Sequence, residues 1–187
     1  TPAGGGRAGA MMRSLLSVLA WMAVVYAALC GYAYARQRAL LYFPTPDSGR
    51  DDLPQLWVPS GRERLRLWVV GTRSDAPDAA ALIYFGGNAE DVAVTAATLR
   101  VTLPRRVIYL VNYRGYGGSS GQPTEEGLFA DSAAVYDAVR RRHPTGAIAV
   151  MGRSLGSGVA VHLAALREVE RLVLVTPFDS MIAVARE

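Results

Sequence analysis

The sequence predicts an α/β fold, a mostly parallel sheet flanked by helices and preceded by one transmembrane helix. Three observations carry this expectation. Residues 14–35 contain no charged side chain. From residue 80 onward, compact apolar segments of strand length alternate with segments of helical spacing, the pattern of strands buried on both faces. One of these strands runs directly into a glycine-bracketed serine, Gly152-Arg153-Ser154-Leu155-Gly156, and an apolar helix follows it.

Residues 1–13 read as an N-terminal tail, within which Met11-Met12-Arg13 has the form of a natural start. The uncharged run 14–35 would extend about 33 Å as a helix, enough to cross the hydrocarbon core of a bilayer. It reads as a single-pass membrane anchor in the lipid bilayer. A cleaved signal peptide competes, because Ala33-Tyr34-Ala35 has the small-x-small form of a cleavage site, but the run exceeds the usual apolar region of such peptides. Tyr32 and Tyr34 suit a membrane interface beside Arg36 and Arg38. Arg7 and Arg13 stand on the other side, so charge asymmetry leaves the side of the remaining chain open.

Residues 39–44 form a short apolar run stopped by Pro44 and Pro46. Segments 56–58 and 65–71 follow, rich in apolar, β-branched and aromatic side chains, and read as antiparallel leading strands. Then 80–85, 106–112, 147–151 and 172–176 read as buried strands, with helices over 89–103, 125–142 and 155–166. Alternation of this kind implies parallel pairing through right-handed crossovers. The helix at 125 has a clear start, since Thr124 after Pro123 is a good N-cap and Glu125 and Glu126 complement the positive end of the dipole. No repeat, linker or second domain interrupts 39–187, which reads as one domain of about 150 residues, enough to bury a core.

Composition narrows the function. Apolar residues make up 51% and charged ones 19%, which excludes a disordered chain. The net charge of +4 comes from arginine alone, with no lysine, a compositional bias rather than a binding signature. Arg140-Arg141-Arg142 lies where a helix ends and cations favour the negative pole, so it reads as a solvated helix end and no nucleic-acid surface is expected. The single cysteine, Cys30, excludes an intrachain disulfide. No metal cluster or cofactor motif appears.

Ser154 is the expected reactive centre. A nucleophile on a tight strand-to-helix turn takes up strained backbone angles, and Gly152 and Gly156 remove Cβ atoms that would collide there. The helix that follows aims its N-terminal amides at the same spot, where negative charge develops on a substrate oxygen during acyl transfer. A second strand ends in Phe85-Gly86-Gly87-Asn88-Ala89-Glu90, the place for an oxyanion hole whose two backbone N–H donors are assigned to Leu155 and Asn88. An ordinary glycine turn with Asn88 capping a helix is the plainer reading of that loop, and both roles can coexist.

A third block, Asn112-Tyr113-Arg114-Gly115-Tyr116-Gly117-Gly118-Ser119-Ser120-Gly121-Gln122-Pro123, carries a family resemblance. Gly115-x-Gly117 lacks the third glycine and the immediate helix of a dinucleotide site. The block resembles Asp-Tyr-Arg-Gly-Tyr-Gly-x-Ser-x-Gly-x-Pro, found between the oxyanion loop and the nucleophile in the membrane-anchored serine hydrolases of the α/β-hydrolase superfamily. The likeness runs from the anchor and Leu41-Tyr42-Phe43-Pro44 to Val175-Thr176-Pro177-Phe178-Asp179-Ser180. It implies an α/β-hydrolase fold and an esterase or thioesterase that forms an acyl-enzyme on Ser154, acting on a small-molecule or acyl ester substrate without cofactor or metal. Gly86 stands where the group often has histidine, and Asn112 where aspartate is usual, departures expected to alter loop packing rather than chemistry.

In this family the acid and then the histidine follow the serine. His162 lies eight positions along the nucleophile helix, about 12 Å away along its axis, and His143 precedes its strand, at the end opposite the ligand-binding edge. It reads as a solvated helix-end residue. Asp179 could orient a histidine but reads first as an N-cap. The expectation is therefore a chain truncated before the last strands, with nucleophile and oxyanion donors present and the base absent. The rival readings are a non-catalytic membrane-anchored hydrolase-like protein or inactive fragment, and a peptidase of the same fold, against which stands the lack of the added domain that usually restricts substrate access.

Overall fold

A computed structural model describes residues 5–50, 52–71 and 75–177. The chain divides into two compact units, Thr1–Leu41 and Tyr42–Glu187.

The first unit is the single helix α1, Gly5–Leu41. It is longer than the expected 14–35 at both ends. Arg36 and Arg38 do not stop it, because arginine is a good helix former, and the run 39–44 is divided, with its first three residues in the helix. Pro44 accounts for the stop, since it disfavours helical angles at Phe43. From residue 9 the side chains are exposed on every face, Trp21 at 71% among them. A helix apolar all round and covered by no protein is long enough and apolar enough to cross a membrane.

The second unit is built on a six-stranded sheet. In chain order it contains β1 Gln55–Ser60, β2 Glu63–Val70, β3 Ala81–Phe85, α2 Val92–Thr102, β4 Val107–Val111, α3 Glu125–Arg142, β5 Ile148–Arg153, α4 Leu155–Leu166 and β6 Arg171–Val175. The strands lie in the order β1-β2-β4-β3-β5-β6, with β1 and β2 antiparallel to their neighbours and the other four mutually parallel. The fold is the expected one, a mixed sheet with a parallel core. Every residue of β3 and β4 is buried, and each large apolar side chain among them contributes about 1.5–3 kcal/mol to the driving force. One layer of core lies around Leu67, Ile83, Tyr109, Val135, Val150 and Leu163, the other around Trp68, Leu82, Ala96, Ile108 and Leu110.

Helices α3 and α4 have the predicted bounds, and Thr124 Oγ1 caps α3 by accepting the Gly127 amide at 3.0 Å. Helix α2 starts three residues later than predicted. Ala89 has a left-handed φ of 60°, which no helix continues, and the cap is Asp91, whose carboxylate accepts the Ala93 amide, not Asn88.

His143 also departs from expectation. It caps the C-terminus of α3, but its ring is fully buried, with Nε2 2.7 Å from the Tyr109 hydroxyl and Nδ1 2.8 Å from the Ala76 carbonyl. The turn after α3 folds inward because Arg140 reaches over it and donates to the carbonyls of His143 and Gly146. Arg141 and Arg142 are the solvated pair.

Candidate active site

Register places the site. In parallel strands, Phe85 of β3 pairs with Gly152 of β5, and Arg153 of β5 pairs with Val175 of β6. The loop leaving β3 and the serine leaving β5 therefore emerge side by side at the carboxyl edge of the sheet, where α/β folds bind ligands. A Cβ added at Gly87 would lie 3.6 Å from the Ser154 Cβ, so the loop passes beside the serine with room for no more than a side chain between them.

Ser154 occupies the N-cap position of α4 with φ 48° and ψ −116°. An L-residue in that region stores about 1–3 kcal/mol of strain, and such strain collects at functional sites. Its amide donates to the Val175 carbonyl at 2.9 Å, and its own carbonyl accepts from the Ser157 amide and hydroxyl. The Ser154 hydroxyl caps nothing and makes no hydrogen bond with another described residue. Leu155 is the first residue of α4, where an amide has no carbonyl one turn back to bond. The bracketing glycines are required by close approach: a Cβ at Gly152 would overlap the Gly156 carbonyl oxygen, and one at Gly156 that of Phe85.

The loop 86–91 is pinned from three sides. The Gly86 carbonyl accepts from the buried Tyr113 hydroxyl at 2.7 Å, and a side chain at Gly86 would press on Val92 at 2.7 Å, which is why residue 86 stays small here. Burial pushes the Tyr113 phenol well above its ordinary range. Asn88 Oδ1 accepts from the Phe43 amide at 3.0 Å and the Tyr116 hydroxyl at 2.8 Å, tying the segment after α1 to this loop. Glu90, its side chain 10% exposed, accepts from Tyr84 and Thr95 hydroxyls, the Gly87 amide and Arg153. Burial, and then the neighbouring Glu90 carboxylate, push the Tyr84 phenol above its ordinary range.

The glycine-rich block 112–123 buttresses rather than reacts. Ser119 and Ser120 accept the amides of Arg66 and Arg64 on β2, and Arg114 holds Asp131 of α3 in a bidentate pair at 2.8 and 2.7 Å. Asn112 donates through Nδ2 to the Arg66 carbonyl at 3.0 Å, a bond an ionised aspartate could not make. Gly117, at φ 51°, leaves room for the Asn112 amide.

The structure brings Gly87, Asn88, Glu90, Gly152, Arg153, Ser154, Leu155 and Gly156 to one edge. Neither histidine joins them. His143 is sealed against Tyr109 and Ala76, and His162 stacks on Phe129 with ring centroids 3.9 Å apart. Asp179 lies outside the described residues. Among the described residues no group of three or more His, Cys, Asp and Glu could hold a metal ion. Sequence reasoning missed the centrality of Glu90 and Tyr116. A lone acidic residue in an otherwise apolar strand-to-helix loop was the available signal for Glu90.

A protein family described as alpha/beta hydrolase fold matches residues 81–187. An uncharacterized protein of Mycobacterium tuberculosis is 35% identical over 90% of this chain and 63% of its own length. Human alpha/beta hydrolase domain-containing protein 17B is 36% identical over 56% of this chain and 38% of its own. In three dimensions a Xanthomonas campestris protein described as an a/b serine hydrolase without lid superposes with a TM-score of 0.57 at 23% identity, covering 73% of this chain and 63% of that one. The chain thus spans less than two thirds of the length of the mycobacterial relative.

Proposed function

The chain belongs to the α/β-hydrolase fold family, and from that premise we propose that it is a serine hydrolase of the esterase or thioesterase type with Ser154 as nucleophile. The observation that carries the proposal is the backbone of Ser154: a strained serine at the carboxyl edge of the sheet, its hydroxyl uncommitted among the described residues, at the start of an apolar helix. Strain of that kind persists only where the surroundings enforce it.

In the proposed reaction Ser154 Oγ adds to the carbonyl carbon of an acyl ester or thioester while a base takes its proton. The amides of Leu155 and Asn88 receive the oxyanion, the alcohol or thiol leaves, and water releases the acyl group by the same route. Both histidines of the chain are engaged away from Ser154. We therefore assign the base and its orienting carboxylate to sequence outside these 187 residues, in keeping with the chain's span of 63% of the mycobacterial relative. Helix α1 is proposed as a single-pass membrane anchor. The absence of a histidine at Ser154 equally favours a second reading, a membrane-anchored hydrolase-like protein without turnover.

One experiment separates them. The detergent-solubilised chain and its Ser154→Ala variant are treated with a fluorophosphonate probe, with and without imidazole as an external base. We expect labelling of Ser154 that imidazole accelerates and Ser154→Ala abolishes. No labelling of Ser154 in either condition defeats the hydrolase reading.

A further inference from the structure

We propose that Glu90 is a positioning residue that sets the oxyanion loop against the nucleophile turn; this rests on the reading of Ser154 as nucleophile. Its carboxylate joins four pieces of the fold that meet at the site. Oε1 accepts from the Tyr84 hydroxyl at the end of β3 at 2.8 Å and from Thr95 Oγ1 in the first turn of α2 at 2.7 Å. Oε2 accepts from the Gly87 amide at 2.7 Å and from Arg153 Nη1 at 3.4 Å. Arg153 directly precedes Ser154, and Gly87 is the loop residue beside it, where an added Cβ would stand 3.6 Å from the Ser154 Cβ. One carboxylate therefore spans the two segments that supply the proposed oxyanion donors and the nucleophile.

The bond count decides what Glu90 does. An ionised carboxylate offers about four lone-pair sites, and four donors already face Glu90. It is thus an anchor and not the base missing from Ser154. Its hold on Gly87 also commits that buried amide to the carboxylate, which constrains the next peptide, the one bearing the Asn88 amide. Left-handed Ala89 keeps the chain short enough for Glu90 to bond back three residues to Gly87. An oxyanion donor acts only if it is already in place when charge develops, so the loop must be held before substrate arrives.

The test compares Glu90→Asp with Glu90→Gln in the solubilised full chain. Aspartate keeps the charge but draws the carboxylate back by one carbon, so it cannot reach Tyr84, Thr95, Gly87 and Arg153 together. Glutamine keeps the length and can turn its carbonyl to Gly87 while its amide donates to the two hydroxyl oxygens. With the fluorophosphonate probe and imidazole, Glu90→Asp is expected to lower the maximal labelling rate about tenfold or more with unchanged half-saturation, and Glu90→Gln to stay within about threefold of the parent. Hydrogen exchange at the Gly87 amide should quicken in Glu90→Asp and not in Glu90→Gln. Parent-like labelling and exchange in Glu90→Asp overturns the proposal, as does Glu90→Gln being the more damaging of the two, which would make charge rather than reach the active property. If the parent itself is unlabelled, the Ser154 reading fails, while amide exchange still reports whether Glu90 holds the loop.

Discussion

Tyr116 is 2% exposed, and its hydroxyl donates to Asn88 Oδ1 while accepting the Phe43 amide. Burial pushes its phenol up to about 12, with the Phe43 bond acting in the opposite direction. A tyrosine in the unfolded chain ionises near 10, so between these values the folded state holds a proton that the unfolded state has lost. The associated stability is complete below pH 10 and is lost as pH rises through about 12. Tyr109, raised by its burial to about 12, adds to the same window. Denaturation of the Tyr116→Phe variant, followed from pH 9 to 12, should show a shallower alkaline loss of stability than the parent; an identical slope would remove Tyr116 from this account. Residues differ in how far the sequence betrays them. Ser154 was legible because strand, glycines and helix are contiguous around it. Glu90 and His143 were not, because their roles depend on partners from distant segments: Arg153 lies 63 positions from Glu90, and Ala76 lies 67 from His143.

Elements follow the same division between local and distant causes. Helix α3 begins as read because Thr124, Glu125 and Glu126 act within one turn. Thr124 Oγ1 satisfies one of the amides left open at the helix start, so Thr124→Ala should cost about 1 kcal/mol. Urea unfolding of the solubilised chain would register it as a lower midpoint at constant slope, which marks a change in stability rather than in surface exposed. Helix α2 was read too early because helical spacing continues upstream of Val92, while the left-handed φ of Ala89 interrupts it. Strand order was not readable at all. Sequence showed four buried strands after two antiparallel leading ones, but β4 lies between β2 and β3, and periodicity carries no trace of that order. That order nonetheless brings β3 beside β5, and without that neighbourhood the loop 86–91 would not meet Ser154.

At the scale of the molecule, the question is what solvent the two units require. Among its described residues the unit Tyr42–Glu187 buries strands β3 and β4 completely. Helix α1 exposes Leu15, Leu16, Leu19, Trp21, Met22 and Leu29 at more than half of their surface. At about 25 cal/mol per Å² of apolar area, such a helix is costly to leave in water. A bilayer removes the cost, and so does cleavage of the segment as a signal peptide. The two outcomes leave different proteins. An anchor leaves the mass intact and the chain in the membrane pellet after alkaline carbonate extraction. Cleavage after Ala35 leaves a soluble product that begins at Arg36. We expect the first. Replacing Val24 and Val25 by arginine, mid-span, should then release the chain from the pellet, because each charge costs about 2.5–3.5 kcal/mol at the centre of an inserting helix and α1 has no partner helix among the described residues to offset them. Recovery of a soluble parent protein with Arg36 at its N-terminus would exclude the anchor.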